Sequence, residues 1–408
     1  MHVDQPIASR PFSHDPYGQY AEWRAMDPVR YDPGWNGWAV TGYDAVAALL
    51  RESRLGADRA DVFFGDINAR RRGNLECLAR IQRAMMLFAD PPRHTRLRGL
   101  VNRAFTPRVV QSLRETIQAV IDGLLDAVAE QGQMDVIRDL AYPLPTMVIA
   151  RLLGVPPEDR EQLKAWSDDF ARFIGGGAME PEVPERADAS VRAMSAYLAE
   201  IVAEKRRAPG VDLISGLLQA EERGDVLDED ELYATCILVL VAGHETTTNV
   251  IGNGMLALLL HPGERARLAA EPALLSPTVE EILRYDSPVQ VTSRIVREAF
   301  TWQGHVFEAG QFVDLWLGAA NRDPARFAEP DLFDVMRPDN RHMAFGYGTH
   351  FCIGAPLARL EGELALGTLL RRFGDMSLAS EALPLRHHET TVFRALVALP
   401  VEFCRKTR

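Results

Sequence analysis

The spacing of apolar residues predicts a chain built mainly from α-helices. Between about 92 and 286, apolar residues recur at intervals near 3.6, the repeat that places them on one face of a helix. The stretch 107–132 begins with proline and ends with glycine, the residues that typically open and close a helix. Further helices are predicted at 143–153, 158–174, 185–207, 210–223, 228–262 and 355–373.

A smaller part of the chain mixes β-branched and aromatic residues with turn dipeptides. Residues 30–43 and 287–317 show this pattern and predict short strands, as does the C-terminal stretch. Helices and strands do not alternate in a regular βαβ repeat, which disfavours a doubly wound parallel sheet. The predicted fold class is mostly α with a minor β region, in a single domain of residues 1–408, whose helical part covers 92–286 and 355–373.

Composition narrows the class of protein. The 408 residues carry a net charge of −12, which argues against a general nucleic-acid binder because phosphate contacts need a basic excess. The four cysteines are far apart and form no CxxC pair, which excludes a zinc ribbon and disfavours a disulfide framework. No signal segment is visible and the apolar runs are too short to cross a bilayer, so we expect a cytoplasmic protein outside the membrane.

The predicted helix 228–262 has an unusual polar centre. Asp228 is expected to cap it and Pro262 to stop it. Its flanks are apolar all round, as in a buried helix, yet residues 243–249 read Gly-His-Glu-Thr-Thr-Thr-Asn. Glycine weakens a helix, threonine hydroxyls bend it, and a buried glutamate needs a partner. So many polar residues in the middle of a core helix predict a functional site.

Cys352 lies in a glycine-rich loop directly before another predicted helix. Gly346, Gly348 and Gly354 allow tight turns, and the positive end of the following helix favours thiolate over thiol. A thiolate acts as a nucleophile or as a metal ligand. With His350 as a base, a cysteine hydrolase is one alternative, and a metal centre is the other.

Two further charged clusters accompany the cysteine loop. Glu281 and Arg284 are spaced i, i+3 on a predicted helix, and Arg337 precedes the loop. Taken alone, the pair is typical of an ordinary surface ion pair. Residues 91–108 contain five arginines and a histidine but no acidic residue, a local reversal of the chain's negative charge that is consistent with an anion site.

Together these stretches resemble the cytochrome P-450 superfamily of haem-thiolate monooxygenases, and its soluble bacterial members in particular. The resemblance spans nearly the whole chain, with the motifs in the expected order. The family's cysteine signature, FGxGxHxCxG followed by alanine, matches Phe345, Gly346, Gly348, His350, Cys352, Gly354 and Ala355. Its AGxET helix motif matches Ala242, Gly243, Glu245 and Thr246, and its ExxR motif matches Glu281 and Arg284.

The resemblance implies the cytochrome P-450 fold, a triangular helical domain with haem between the long central helix and the helix after the cysteine loop. Cys352 is then the axial thiolate of haem b, with Phe345, Gly346 and Gly354 around the sulfur. The residues implied to bind the haem propionates are His94, Arg98, Arg294 and His350. Those implied to form a buried structural triad that positions the cysteine loop are Glu281, Arg284 and Arg337.

The implied reaction inserts one oxygen atom of O₂ into an apolar small molecule, by hydroxylation or epoxidation, in secondary metabolism. Glu245 and Thr246 are the implied proton carriers. No flavin or iron–sulfur segment is visible, so NAD(P)H-derived electrons are expected from a separate ferredoxin and ferredoxin reductase. We expect a monomer, with Arg96, Arg103 or Arg108 as a basic docking surface for the ferredoxin.

The residues leave other functions open. A peroxide-driven peroxygenase or a haem-dependent isomerase is one alternative, which the Glu245–Thr246 pair disfavours, and a haem-binding sensor without turnover is another. The motifs do not identify the substrate. The residues expected to line an apolar substrate pocket are Phe63, Phe64, Met85, Met86, Leu87, Ala242, Val289, Val291 and Phe393.

Overall fold

The computed structural model describes residues 15–60, 75–222, 227–379, 385, 387–388 and 390–405. The described part is mostly helical with small sheets, as predicted. Its α-helices are α1 (Tyr17–Met26), α2 (Tyr43–Leu49), α3 (Glu76–Ala84), α4 (Arg93–Ala104), α5 (Pro107–Ser112), α6 (Arg114–Asp126), α7 (Pro143–Leu153), α8 (Arg160–Ile174), α9 (Val183–Arg207), α10 (Leu213–Glu222), α11 (Glu229–Leu260), α12 (Pro262–Ala270), α13 (Leu275–Tyr285), α14 (Leu317–Ala320) and α15 (Ala355–Arg372).

The strands form three small sheets. They are β1 (Val29–Asp32), β2 (Gly37–Val40), β3 (Leu55–Gly56), β4 (Gln133–Asp135), β5 (Thr292–Val296), β6 (Phe300–Trp302), β7 (His305–Phe307), β8 (Phe312–Leu315), β9 (Phe373–Leu378) and β10 (Pro400–Arg405). A five-stranded sheet has the order β1-β2-β8-β5-β3, a three-stranded sheet the order β4-β10-β9, and β6 and β7 pair as a hairpin. The strands predicted at 30–43, at 287–317 and near the C-terminus are therefore present.

The predicted helix at 107–132 is divided in the structure. The side chain of Thr106 caps α5 by accepting a hydrogen bond from the Val109 amide at 3.3 Å. A turn at Leu113 then separates α5 from α6, which ends at Asp126. The chain leaves the helical pattern because it reaches Gly132 at a φ of +69° and then joins the three-stranded sheet as β4.

The chain groups into two compact units. The first contains residues 1–55, 117–144 and 246–408, and the second contains 56–116 and 145–245. The three-stranded sheet, the hairpin β6–β7 and helices α12 to α15 belong to the first unit. Helices α3 to α5, α8 to α10 and the part of α7 from Pro145 onward belong to the second. The single functional domain expected from the sequence stays a prediction.

Helix α11 begins with a capping arrangement in the second unit. The Asp228 carboxylate accepts a hydrogen bond from the Glu231 amide at 2.8 Å, and the Asp228 amide donates back to the Glu231 carboxylate at 3.3 Å. The helix is continuous through its polar centre, from Glu229 to Leu260. Gly243 allows a close approach there, since a Cβ at that position would lie 2.6 Å from Ile149 Cδ1 of α7.

Helix α11 is also the one helix in the described ranges that is long and apolar enough to cross a membrane. In the structure, 67% of its apolar window is buried within the protein. This degree of burial is typical of a core helix.

Candidate active site

Cys352 is presented at the start of α15 by a tightly turned loop. Gly346 and Gly348 adopt φ values of +70° and +76°, which residues with a Cβ rarely adopt. The Cys352 amide donates to the Phe345 carbonyl at 2.9 Å, which closes the loop, and the side chain of Cys352 is exposed. Gly354 directly precedes α15, and a Cβ at Gly354 would lie 3.8 Å from the Cys352 sulfur. An accessible sulfur at a helix N-terminus fits a thiolate that binds a metal, as haem iron requires.

Phe345 is held beside this loop by a charged group that the sequence did not single out. The guanidinium of Arg359, from α15, lies 4.6 Å from the centre of the Phe345 ring. Arg359 also donates to Glu280 of α13 at 2.6 and 2.9 Å, and His342 Nε2 lies 3.1 Å from the same carboxylate. The Ala344 amide donates to His342 Nδ1, so the neutral ring carries its proton on Nε2 and donates it to Glu280.

These hydrogen bonds determine the charge state of Glu280. Burial acts to raise the pKa of this carboxyl, but the hydrogen bonds from His342 and Arg359 outweigh burial and lower the pKa to about 2. Glu280 is therefore ionised at neutral pH and joins α13 to both sides of the cysteine loop. A sequence signal existed in the acidic pair at 280–281, but only its second member matched a motif.

Arg284 is fully buried, and all five of its N–H donors have an acceptor. Nε and Nη2 donate to the two oxygens of Glu281, each at 2.8 Å. Nη1 donates to the carbonyls of Asn321 and Pro330 at 3.0 and 2.7 Å, and Nη2 also donates to the Leu332 carbonyl at 3.1 Å. Arg284 thus joins helix α13 to the backbone of the segment that leads to the cysteine loop.

Glu281 is the other centre of this cluster and is also fully buried. Arg337 Nε lies 3.1 and 3.2 Å from its two oxygens, and the Asp334 amide and the Asn340 side chain donate to it at 2.9 and 3.1 Å. The structure therefore brings Glu281, Arg284 and Arg337 together in one hydrogen-bonded group. Glu281 and Arg284 are buried, so they do not form the surface ion pair that their spacing alone suggested.

The four predicted propionate ligands lie on three elements of the structure. In the first unit, Arg294 is a buried residue of β5, and His350 ends a short 3₁₀ turn at Gly348–His350. In the second unit, His94 is buried and Arg98 is half-buried, and both lie on α4 at i, i+4 spacing. Their role in binding a haem stays a prediction.

Two of the arginines in 91–108 pair with an acidic residue from another part of the chain. Glu231 of α11 has a largely buried carboxylate, which lies 2.5 Å from Arg96 Nη2 and 3.4 Å from Arg93 Nε. Arg103 and Arg108 are exposed. Arg96 therefore has an acidic partner that the local sequence does not contain, and it is a weaker candidate for a docking surface than the other two.

The polar centre of α11 gathers side chains from a neighbouring helix. The ring of His244 is buried, with Nδ1 3.0 Å from the Leu240 carbonyl and 3.3 Å from Ser167 Oγ of α8. Nε2 lies 3.6 Å from Asp168 Oδ1 and 3.9 Å from Glu245 Oε2. Asp168 was not recognised from the sequence, because it lies far from His244 along the chain. Glu245 and Thr246 are both half-buried.

The residues expected to line a substrate pocket do not all have the same environment. Val289 and Phe393 pair through an isolated antiparallel bridge, and both are half-buried. Val291 is different, because it is buried in a core cluster with Trp316 and Tyr20. The place of Val289, Val291 and Phe393 in a substrate pocket stays a prediction.

The remaining members of this set are distributed along the chain. Met85 and Met86 are buried, whereas Leu87 and Ala242 are exposed. Phe63 and Phe64 lie outside the described residues.

Comparisons with known proteins agree with these observations. A family model described as cytochrome P-450 matches residues 179–395. The chain is 41% identical to the biotin biosynthesis cytochrome P-450 of Bacillus subtilis over 99% of this chain and 100% of that protein. It is 41% identical to the cytochrome P-450 monooxygenase PikC of Streptomyces venezuelae over 99% of this chain and 94% of that protein.

Solved structures give the same result for the fold. The crystal structure of P450BioI in complex with hexadec-9Z-enoic acid ligated acyl carrier protein has a TM-score of 0.88 and 40% identity, covering 95% of this chain and 98% of that one. The Bacillus subtilis polyketide synthase cytochrome PksS has a TM-score of 0.88 and 36% identity over 98% of this chain and 100% of that one. The predicted fold class is confirmed. This chain belongs to the cytochrome P-450 family of haem-thiolate monooxygenases, a class of oxidoreductases.

Proposed function

We propose that the protein inserts one oxygen atom of O₂ into an apolar small molecule, using a haem bound through Cys352 and electrons from an external ferredoxin system. The observation that carries the proposal is the exposed Cys352 thiol at the start of α15, in a loop tied to α13 through Glu280 and preceded by the buried Glu281 cluster. When bound, the haem supplies the activation of O₂.

The chain's own residues have separate tasks in this proposal. Cys352 supplies the thiolate, the dipole of α15 favours its ionised form, and Phe345 packs against Phe351 within the cysteine loop. The buried cluster of Glu281, Arg284 and Arg337 keeps the preceding segment in one conformation, because all five Arg284 donors and both Glu281 oxygens have partners.

The haem propionates need cationic partners. We propose that His94, Arg98, Arg294 and His350 supply them, since these are the side chains in the positions that the family resemblance implies.

In this proposal, residues at the centre of α11 deliver the protons for O₂ activation. Thr246 holds the hydroxyl nearest to the reaction and Glu245, the preceding residue, resupplies its proton. This acid–alcohol pair supports O₂-dependent turnover over a peroxide-driven reaction and over a sensor, neither of which needs a proton relay.

The function is tested with purified holoenzyme. The reduced protein treated with CO should show the red-shifted Soret band of thiolate ligation, and product should form with NAD(P)H, a surrogate ferredoxin and its reductase. Product formed only with hydrogen peroxide would favour a peroxygenase. Tight haem binding with no turnover of any substrate would favour a sensor.

The substrate class is open to a direct screen. A related structure contains a fatty acid linked to an acyl carrier protein, so a carrier-bound acyl chain is a specific candidate. Free hexadec-9-enoic acid, the same acid on a carrier protein, and a panel of macrolides and steroids should be compared by the low-spin to high-spin Soret shift. A shift with the carrier-bound acid alone would identify the carrier as part of the substrate.

The ferredoxin is proposed to dock on the exposed arginines of α4 and α5. Arg103 and Arg108 are the exposed cations there, and opposite charges speed the encounter of two proteins at low ionic strength.

A further inference from the structure

A buried histidine lies between two carboxylates at the centre of α11. His244 Nε2 is 3.6 Å from Asp168 Oδ1 and 3.9 Å from Glu245 Oε2. Its nitrogen and the two carboxylate oxygens all lie within 4.8 Å of one another. A shift of less than about 1 Å in either side chain brings each carboxylate within hydrogen-bond range of the ring.

The other ring nitrogen of His244, Nδ1, faces a group that can only accept a hydrogen bond. His244 Nδ1 lies 3.0 Å from the backbone carbonyl of Leu240. A carbonyl oxygen accepts a hydrogen bond but cannot donate one, so Nδ1 keeps its hydrogen and donates it to Leu240. The other neighbour of Nδ1, the Ser167 hydroxyl at 3.3 Å, carries no charge. The nitrogen that gains and loses a proton is therefore Nε2, the one that faces Asp168 and Glu245.

Exposure decreases from Asp168 to the ring. The side chain of Asp168 is 45% exposed, that of His244 is 1% exposed, and that of Glu245 is 21% exposed. Asp168 thus exchanges protons with bulk water, whereas His244 reaches solvent protons only through a neighbouring group.

We propose that Asp168 and His244 form a proton uptake route that reprotonates Glu245 during turnover. The route deepens the proposed function, because it rests on Glu245 being the acid that serves Thr246. His244 touches Glu245 and not the substrate, so it acts as a relay residue, and Asp168 acts as the group that collects protons from water.

One cycle of the route moves one proton and no electrons. Nε2–H of the imidazolium gives its proton to the Glu245 carboxylate, which becomes a carboxylic acid, and the ring becomes neutral with its hydrogen on Nδ1. The free Nε2 lone pair then takes a proton that Asp168 has received from water. The starting state is restored when Glu245 has passed its proton onward.

The carboxylates around the ring favour its protonated form. Burial acts to lower the pKa of His244, but the nearby carboxylates of Asp168 and Glu245 outweigh burial and raise this pKa above its usual value. The charged groups that face the ring in the described part of the chain include Asp168 from α8 and Glu245 from its own helix.

The test uses three variants and a matched control. Asp168→Asn removes the collecting carboxylate, His244→Gln removes the relay, and Asp168→Glu keeps a carboxylate beside the ring. Asp169→Asn is the control, because Asp169 lies next along α8 but pairs with Ser190 and Arg186.

The first measurement does not depend on turnover. The ring of His244 is followed by NMR in ¹⁵N-histidine-labelled, CO-bound ferrous protein, with His244→Gln identifying its signals. In Asp168→Asn the titration midpoint of His244 should move to lower pH, and in Asp168→Glu and Asp169→Asn it should stay near that of the unmodified protein. An unchanged midpoint in Asp168→Asn would overturn the proposal.

The second measurement is product formed per NAD(P)H consumed, taken across pH and in H₂O and D₂O. Asp168→Asn and His244→Gln should lower this ratio at least about tenfold and raise the solvent isotope effect, while the substrate-induced Soret shift is unchanged. Asp168→Glu should restore most of the ratio. If Asp168→Asn and His244→Gln both keep the pH profile and isotope effect of the control, the route is wrong while the proposed function stands. If the unmodified enzyme shows no thiolate Soret band or no O₂-dependent product, the proposed function itself fails.

Discussion

Replacement of Arg284 should destabilise the protein far more than replacement of an exposed arginine nearby. In Arg284→Ala, the carbonyls of Asn321 and Pro330 lose the donors that the structure shows for them, while Leu332 keeps a hydrogen bond from Arg337 at 2.8 Å. Two buried carbonyls without donors cost about 1–3 kcal/mol each, and removal of one partner from a buried ion pair costs about 3–5 kcal/mol. Glu281 keeps Arg337 as a partner, so we expect a loss of about 4 kcal/mol.

A lysine at the same position separates the charge from the hydrogen-bonding geometry. Arg284→Lys retains the positive charge beside Glu281 but offers at most three donors where arginine offers five. It should lose at least two of the five hydrogen bonds, and its stability should fall by about 2 kcal/mol, between the unmodified protein and Arg284→Ala.

The assay compares urea unfolding midpoints by circular dichroism and the haem content of the purified proteins. Arg341→Ala is the control, because Arg341 pairs with Asp339 on the same segment but its side chain is 80% exposed. The control should unfold like the unmodified protein and bind haem fully, whereas Arg284→Ala should unfold at much lower urea and lose haem. An Arg284→Ala protein with the midpoint and haem content of the control would refute the structural role of the cluster.

Four other changes test the remaining assignments. Cys352→Ser should fold but lose the red-shifted Soret band of the CO complex, and retention of that band would exclude this cysteine as the ligand. Thr246→Ala should bind substrate normally but release reducing equivalents as peroxide, so product per NAD(P)H should fall; an unchanged ratio would exclude the hydroxyl as a proton donor. Glu280→Gln should lose about 3 kcal/mol of stability at neutral pH, because the folded pKa near 2 lies below the ordinary value of 4.5. This contribution is present above about pH 4.5 and disappears as the pH falls towards 2, so the two proteins should converge in acid, and a pH-independent difference would contradict it. Arg103→Glu combined with Arg108→Glu should slow reduction by ferredoxin and flatten its dependence on salt, and an unaltered rate would place the docking surface elsewhere.

Local sequence patterns determined most of the helices. Helix α7 has the bounds that its apolar spacing predicts, and α9, α11 and α15 differ from the predicted ranges by only a few residues. The cysteine motif, the acid–alcohol pair and the ExxR spacing were also readable. They are short-range features, because the backbone turns and helix faces that present these side chains are set by neighbouring residues.

Only the tertiary structure decided which distant groups meet. Asp168 and His244 are separated by 76 positions, and their approach depends on how α8 packs beside α11, which no local pattern reports. Three of the five acceptors of Arg284 are backbone carbonyls between 321 and 332, a kind of partner with no signature in the side-chain sequence. Periodicity reports which face of an element is apolar. The partner of a buried polar group depends instead on where the rest of the chain brings a complementary atom. For this reason the sequence alone presented Glu281 and Arg284 as an ordinary surface pair.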